Sequence, residues 1–161
     1  MEERKSRGFV SLIIWYIPVV CVQFVSSVFT VGGMNPWYGE LKKASWTPPG
    51  WVFAPVWSIL YIMMAIAVWR IYRTEPKKKL HFIAYILFFI QLFFNGLWSF
   101  LFFKFHLIGW ALIDLALLIV LIGATIRYFF DINKLAALLL VPYFVWCLYA
   151  LTLNAAIWWL N

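Results

Sequence analysis

Five long apolar blocks separated by polar segments dominate the chain: Phe9 to Val31, Val52 to Tyr72, Phe82 to Phe103, Leu107 to Phe130 and Leu135 to Leu160. Each is about 20 residues or slightly longer, enough to cross a hydrocarbon core at about 1.5 Å of rise per helical residue. The pattern predicts an all-α integral membrane protein, a bundle of five transmembrane helices in a single domain over residues 1–161. Pro18, Pro55 and Pro142 fall inside or near the start of these blocks. A bundle tolerates them where neighbours or water satisfy the freed carbonyl. Connections two to four are short, which predicts that sequential helices are antiparallel neighbours. Only the first connection, residues 32–51, is long, and long loops in compact domains tend to be lids or binding elements.

Composition points the same way. Of the 161 residues, 66% are hydrophobic and 12% charged, more apolar side chains than a soluble domain of this length can hide. The formal charge of +7 raises nucleic acid as a partner. The basic residues, however, cluster where apolar blocks end, and no helix-turn-helix or zinc-finger pattern accompanies them. The expected partner is the lipid bilayer, with no nucleic acid. Ten Lys and Arg lie on one side of the alternating connections: Arg4, Lys5 and Arg7, then Arg70, Arg73 and Lys77–Lys79, then Arg127 and Lys134. The other side has three, Lys42, Lys43 and Lys104. For a bacterial cell membrane the positive-inside rule predicts a cytoplasmic N-terminus and an outside C-terminus. The basic start and first apolar run are read as a retained span, because the run outlasts a signal peptide and no A-x-A-like site follows. Cys21 and Cys147 lie deep in apolar blocks without a spacing motif and read as small buried hydrophobes.

The first loop and the start of the second block read GGMNPWYGELKKASWTPPGWVFAPVW. Trp37, Trp46, Trp51 and Trp57 fall within 21 residues, accompanied by Pro36, Pro48, Pro49 and Pro55. An interfacial tryptophan belt is one reading. A stiff aromatic flap over a cavity is the other, and the prolines favour it, since each fixes φ and restricts its predecessor. In the third block Gln91, Asn95 and Trp98 recur at i, i+4, i+7 and share one face, which should look inward because amides are expensive in lipid. They serve either as interhelical hydrogen-bonding groups or as a polar rim for ligand carboxylates or amides. Asp114, the one acid well inside a block, reads as a hydrogen-bonding group to another helix in preference to a protonatable site. Tyr143, Trp146, Ala150 and Asn154 share a face of the fifth block, and Trp57 and Tyr61 one of the second. Such faces make a niche for a flat ring, or ordinary aromatic packing. His81 and His106 both sit near block ends. No H-E-x-x-H, C-x-x-C or G-x-S-x-G occurs, nor a carboxylate pair for acid–base work, so neither a metal site nor a catalytic residue is assigned.

The stretches WYGELKKASWTPPGWVFAPVW, QLFFNGLWS, GWALIDLAL and PYFVWCLYALTLN follow one another over nearly the full length. In this the whole chain resembles the translocator protein family, TspO/MBR, also called tryptophan-rich sensory proteins or peripheral-type benzodiazepine receptors. It departs at Ala44, where the family usually has Pro. The resemblance implies a five-helix bundle, often a homodimer, that binds porphyrins, sterols and benzodiazepine-like drugs beneath the first loop. Carried onto this chain, the pocket draws on Trp37, Tyr38, Trp46, Trp57, Asn95, Trp98, Asp114, Trp146, Ala150 and Leu153, with Tyr61 one turn from Trp57. The Tyr-plus-basic sterol stretch of animal members is missing from the final NAAIWWLN, which favours a porphyrin over a sterol. The implied function is a receptor or translocator-type protein for tetrapyrroles such as protoporphyrin IX, with porphyrin a ligand rather than a tightly bound cofactor. Light- and oxygen-dependent porphyrin degradation, proposed for bacterial members, and a ligand-responsive sensory role are the alternatives.

Overall fold

The computed structural model describes residues 2–75 and 77–161, with the side chains of residues 2–9, 34 and 35 outside the description. The basic side chains Arg4, Lys5 and Arg7 that enter the predicted charge asymmetry thus lie outside the described residues. Five helices run Glu2–Gly33 (α1), Phe53–Tyr72 (α2), Lys78–Ser99 (α3), Ile108–Ile132 (α4) and Lys134–Leu160 (α5), and no strand occurs among the described residues. Each carries a membrane-length apolar stretch. In hydrocarbon every backbone polar group must pair inside its own segment, so each predicted block falls on one helix. The protein is an integral membrane protein.

Local chemistry sets the helix ends. Asn133 alone joins α4 to α5, and its side-chain oxygen accepts the Ala136 N–H at 3.0 Å, an N-cap. Pro49 is extended (φ −54°, ψ 141°) and leads into a single 3-10 turn, Gly50–Val52, that opens α2. Pro55 then sits in the first turn of α2, where an N–H has no intrahelical partner to lose.

The first connection is shorter than the sequence predicts. Beyond Gly33 the chain continues as a π-turn, Met34–Tyr38, and stays helical through Glu40, leaving residues 41–49 as the loop. Pro36 has no N–H for an α-helical bond, and the wider π-turn absorbs that defect without ending the helix. α3 also ends in a π-turn, Phe100–Lys104. His106 then adopts φ 58° and the Leu107 N–H bonds the Leu101 carbonyl at 2.9 Å, a reversal that glycine usually makes. The His106 ring stacks on Trp37 with centroids 3.9 Å apart.

Around the bundle the helices follow the order α1–α2–α5–α4–α3, with α3 closing back onto α1. The expectation that short connections join neighbouring helices holds for α3–α4 and α4–α5 and is corrected for α2–α3, which hardly touch along their lengths. α1 is wedged between them. Trp15 of α1 stacks on Tyr85 of α3 at 5.1 Å and meets Tyr72 of α2 at 5.7 Å, while Trp69 of α2 donates to Ser11 at 3.0 Å. His81 braces the α2–α3 connection. Its Nδ1 accepts the Lys77 N–H at 3.0 Å, and its Nε2 lies 2.9 Å from Thr74 Oγ1. A second correction concerns Cys21, which is exposed on the outer side of α1, whereas Cys147 is buried. Apolar character satisfies both lipid and core, so it does not distinguish them.

The end of the bundle bearing the α2–α3 and α4–α5 connections is solidly packed. Met64, Val68, Ile71, Phe88, Phe129 and Leu140 are essentially inaccessible there. A smaller cluster of Phe102, Phe103, Ala111 and Ile157 lies at the opposite end, beside the first loop. Between that cluster, the loop and the solid half, the bundle is hollow.

Candidate functional site

The hollow is a cavity of about 530 Å³ that takes residues from all five helices and the loop. Its floor is a hydrogen-bonded triad. The buried Asn95 accepts from the Tyr61 hydroxyl at 2.5 Å and donates to the Tyr143 hydroxyl at 3.0 Å, tying α3 to α2 and α5. Tyr61 and Asn95 line the cavity, whereas Tyr143 lies behind it. Higher on α3, Trp98 donates its indole N–H to Asn154 Oδ1 at 3.0 Å, and Asn154 donates to the Ile108 carbonyl at 3.1 Å. The polar face of α3 is therefore both interhelical bonding and cavity wall, at the same residues. Gln91, the third member of that face, is buried, lies off the wall, and has no hydrogen-bond partner among the described residues.

Aromatic rings make the sides. Trp57 lies 5.5 Å from Tyr61, Trp98 stacks on Phe102 at 5.0 Å, and Trp146 meets Phe53 edge-on at 5.9 Å. Ala150 and Leu153, one and two turns beyond Trp146, leave room between them. The fourth side was not singled out in the sequence. Gln23, Ser26, Ser27 and Thr30 of α1 stand on the wall at i, i+3, i+4, i+7, a spacing whose periodicity was readable all along. The hydroxyls of Ser27 and Thr30 bond carbonyls of their own helix at 2.7 and 2.8 Å, which lets them tolerate an apolar setting. Gln23 reaches Ser58 of α2 at 3.5 Å.

The roof is the loop. Tyr38, Lys43, Thr47, Pro48 and Gly50 face the cavity, whereas Trp46 and Trp51 are 55% and 76% exposed. Belt and flap thus divide between the residues of this segment: Tyr38, Lys43, Thr47 and Pro48 cover the hollow, while Trp46 and Trp51 face outward, as a belt requires. Two straps hold the loop to α5. The Tyr149 hydroxyl donates to the Trp46 carbonyl at 2.7 Å and the Trp46 indole to Thr152 at 3.3 Å. Asn161 accepts the Lys42 N–H at 2.9 Å and returns a bond to the Lys42 carbonyl at 3.1 Å. At Ala44 the carbonyl accepts the Thr47 N–H at 3.0 Å, a turn that needs only the group Ala and Pro share. Tyr149→Phe combined with Asn161→Ala removes three of the four strap bonds. Amide exchange across residues 41–49 is then expected to accelerate about tenfold, and unchanged exchange by mass spectrometry would show that the straps do not hold the loop.

Of the eleven residues expected at the pocket, eight line this cavity: Tyr38, Trp57, Tyr61, Asn95, Trp98, Trp146, Ala150 and Leu153. Three do not. Trp37 is engaged by His106 and by Phe102, Trp46 is turned outward onto Thr152, and Asp114 is buried away from the wall while its neighbours Leu115 and Leu118 reach it. Neither Asp114 oxygen has a hydrogen-bond partner among the described residues. Polar groups of wall residues are likewise without a hydrogen-bond partner among the described residues: the Ser26 and Thr47 hydroxyls and the Trp146 indole N–H. Among the described residues no cluster of metal-ligating side chains occurs, and both histidines lie off the cavity wall, His81 in the first turn of α3 and His106 in the α3–α4 connection.

The chain matches the TspO/MBR family over residues 14–160. It is 41% identical over 142 residues to the tryptophan-rich protein TspO of Chlorobaculum tepidum, covering 88% of this chain and 90% of that protein. To protein CrtK of Rhodobacter capsulatus it is 32% identical over 148 residues, covering 92% and 91%. To the human translocator protein it is 38% identical over 138 residues, covering 84% and 80%. Built on five apolar spans and matched over nearly its whole length, the chain belongs to the TspO/MBR family.

Proposed function

We propose that this membrane protein binds tetrapyrroles, protoporphyrin IX and haem-like rings, in the roofed cavity, as a receptor or translocator-type protein. The observation that carries the reading is the wall itself: Trp57, Trp98 and Trp146 surround a hollow of about 530 Å³. Pockets of roughly 300–1,000 Å³ suit ligands of this size, and an apolar wall with few polar groups is their usual character. Relatives named translocator protein fit the same role. The proposal includes a bacterial cell membrane with the N-terminus in the cytoplasm and the roofed mouth outside, the orientation that the excess of Lys and Arg on one side supports. It also includes a homodimer, testable by cross-linking in native membranes.

Protoporphyrin IX titrated into the detergent-solubilised protein is expected to quench tryptophan fluorescence to saturation. Trp146→Phe and Trp57→Phe are each expected to weaken binding about three- to tenfold, the value of an aromatic contact beyond its area. Quenching that never saturates and ignores both changes would sink the reading. The same wall favours a second one, because three oxidisable indoles would lie beside a photosensitising ring. Mass spectrometry after illumination in air separates the two: degradation requires a product that the protein-free control lacks.

A further inference from the structure

Of all the residues lining the cavity, Lys43 alone carries a charge. Its ammonium lies at the roof, 3.4 Å from the Gly39 carbonyl, 3.3 Å from the Leu41 carbonyl and 4.6 Å from the centre of the Tyr38 ring. All three partners are neutral. The two carbonyl contacts are at the long end of hydrogen-bonding range and leave one of the three ammonium protons unused. No carboxylate forms an ion pair with it among the described residues, and Glu40, three residues away, is exposed. Burial holds the Tyr38 phenol above its ordinary pKa, so near neutral pH the ring is a neutral face and not a phenolate counter-ion.

Beneath this cation the wall is aromatic, aliphatic or neutral-polar down to the Tyr61–Asn95 floor. A fixed positive charge at one end of an apolar hollow is less screened than one in open water, and it discriminates between ligands by their charge at that end. The geometry points to Lys43 as the specificity-determining residue of the cavity, holding a ligand carboxylate at the roof while the apolar body lies on the tryptophan wall. The ligand class is a flat apolar ring system with acid groups on one edge. The inference rests on the tetrapyrrole reading and deepens it: the free diacid is selected over a neutral ester of the same ring.

Protoporphyrin IX and its dimethyl ester, titrated at low ionic strength in a neutral detergent, make the comparison. The wild type is expected to favour the diacid by about three- to tenfold, the range of a partly exposed charge-assisted bond, with the preference shrinking as salt is added. Lys43→Met should bring the diacid down to the affinity of the ester and leave the ester unchanged, which also reports an intact cavity. Lys43→Arg should keep the preference. Lys42→Met should keep it too, because that side chain is exposed and off the wall. A preference that survives Lys43→Met, or equal saturable binding of both compounds to the wild type, overturns the assignment alone. Saturation by neither compound overturns the tetrapyrrole reading and the assignment with it.

Discussion

Asn95→Leu is expected to lower the thermal midpoint of the detergent-solubilised protein by about 5–10 °C. The amide is 4% exposed and holds two phenols from two other helices, Tyr61 at 2.5 Å and Tyr143 at 3.0 Å. Interhelical hydrogen bonds in membranes average only about 0.6 kcal/mol and reach about 1.7, so losing two bonds does not by itself account for a large effect. The larger contribution comes from what remains: leucine leaves two phenol groups buried without their partner, each at about 1–3 kcal/mol before relaxation. Together these give about 2–3 kcal/mol, and roughly 2–4 °C per kcal/mol at this chain length. Tyr61→Phe or Tyr143→Phe alone removes one bond and orphans only half the amide, so each should cost less. The triple change Asn95→Leu with both Tyr→Phe should recover part of the midpoint, since no polar group is stranded. A single Asn95→Leu no worse than either Tyr→Phe would show that the triad does not tie the cavity floor together.

Two adjacent glycines are expected to respond to alanine with opposite signs. A Cβ on Gly33 would lie 2.8 Å from Phe103 Cβ and closer still to the Phe103 carbonyl oxygen. That oxygen belongs to the π-turn ending α3 and cannot move without unwinding it. Phe103 in turn supports Tyr38 at 5.6 Å and Trp98 at 5.9 Å, so the strain reaches both roof and wall. Gly33→Ala should therefore destabilise by about 2–3 kcal/mol, the upper range for an overpacked site. At Gly32 nothing lies within 4 Å of the added methyl. Gly32→Ala should stabilise α1 by up to about 1 kcal/mol, the helix-propensity difference. Midpoints that shift the same way for both would mean that the α1–α3 approach does not constrain Gly33.

Much of the architecture can be read in the residues before any folding is considered. Run length alone places the five spans, because hydrocarbon leaves a backbone no external partner and so allows few solutions. Helical periodicity places Trp57 with Tyr61, Asn95 with Trp98, and Trp146 with Ala150 on common faces, and these faces line the hollow. The α1 stripe from Gln23 to Thr30 was equally periodic but made of small polar residues that draw less attention than tryptophan. Trp46 is the opposite case. The family resemblance implies a place for it in the pocket, yet the turn from Ala44 to Thr47 and the bonds to Tyr149 and Thr152 turn it outward.

By itself, then, the sequence determined that this chain spans a membrane five times, which helix faces are aromatic or polar, and that two lysines, Lys42 and Lys43, stand in the first loop. Tertiary structure decided the rest: the ring order α1–α2–α5–α4–α3, the extension of α1 through a π-turn, and the selection of Lys43 in place of Trp46 for the cavity roof. The physical reason is common to all three. Lipid and protein interior are both apolar, so hydrophobicity identifies a helix without saying which neighbour it meets. That choice is made by pairwise events distant in sequence, such as Trp15 between Tyr72 and Tyr85, Gly33 against Phe103, and Asn95 between two tyrosines.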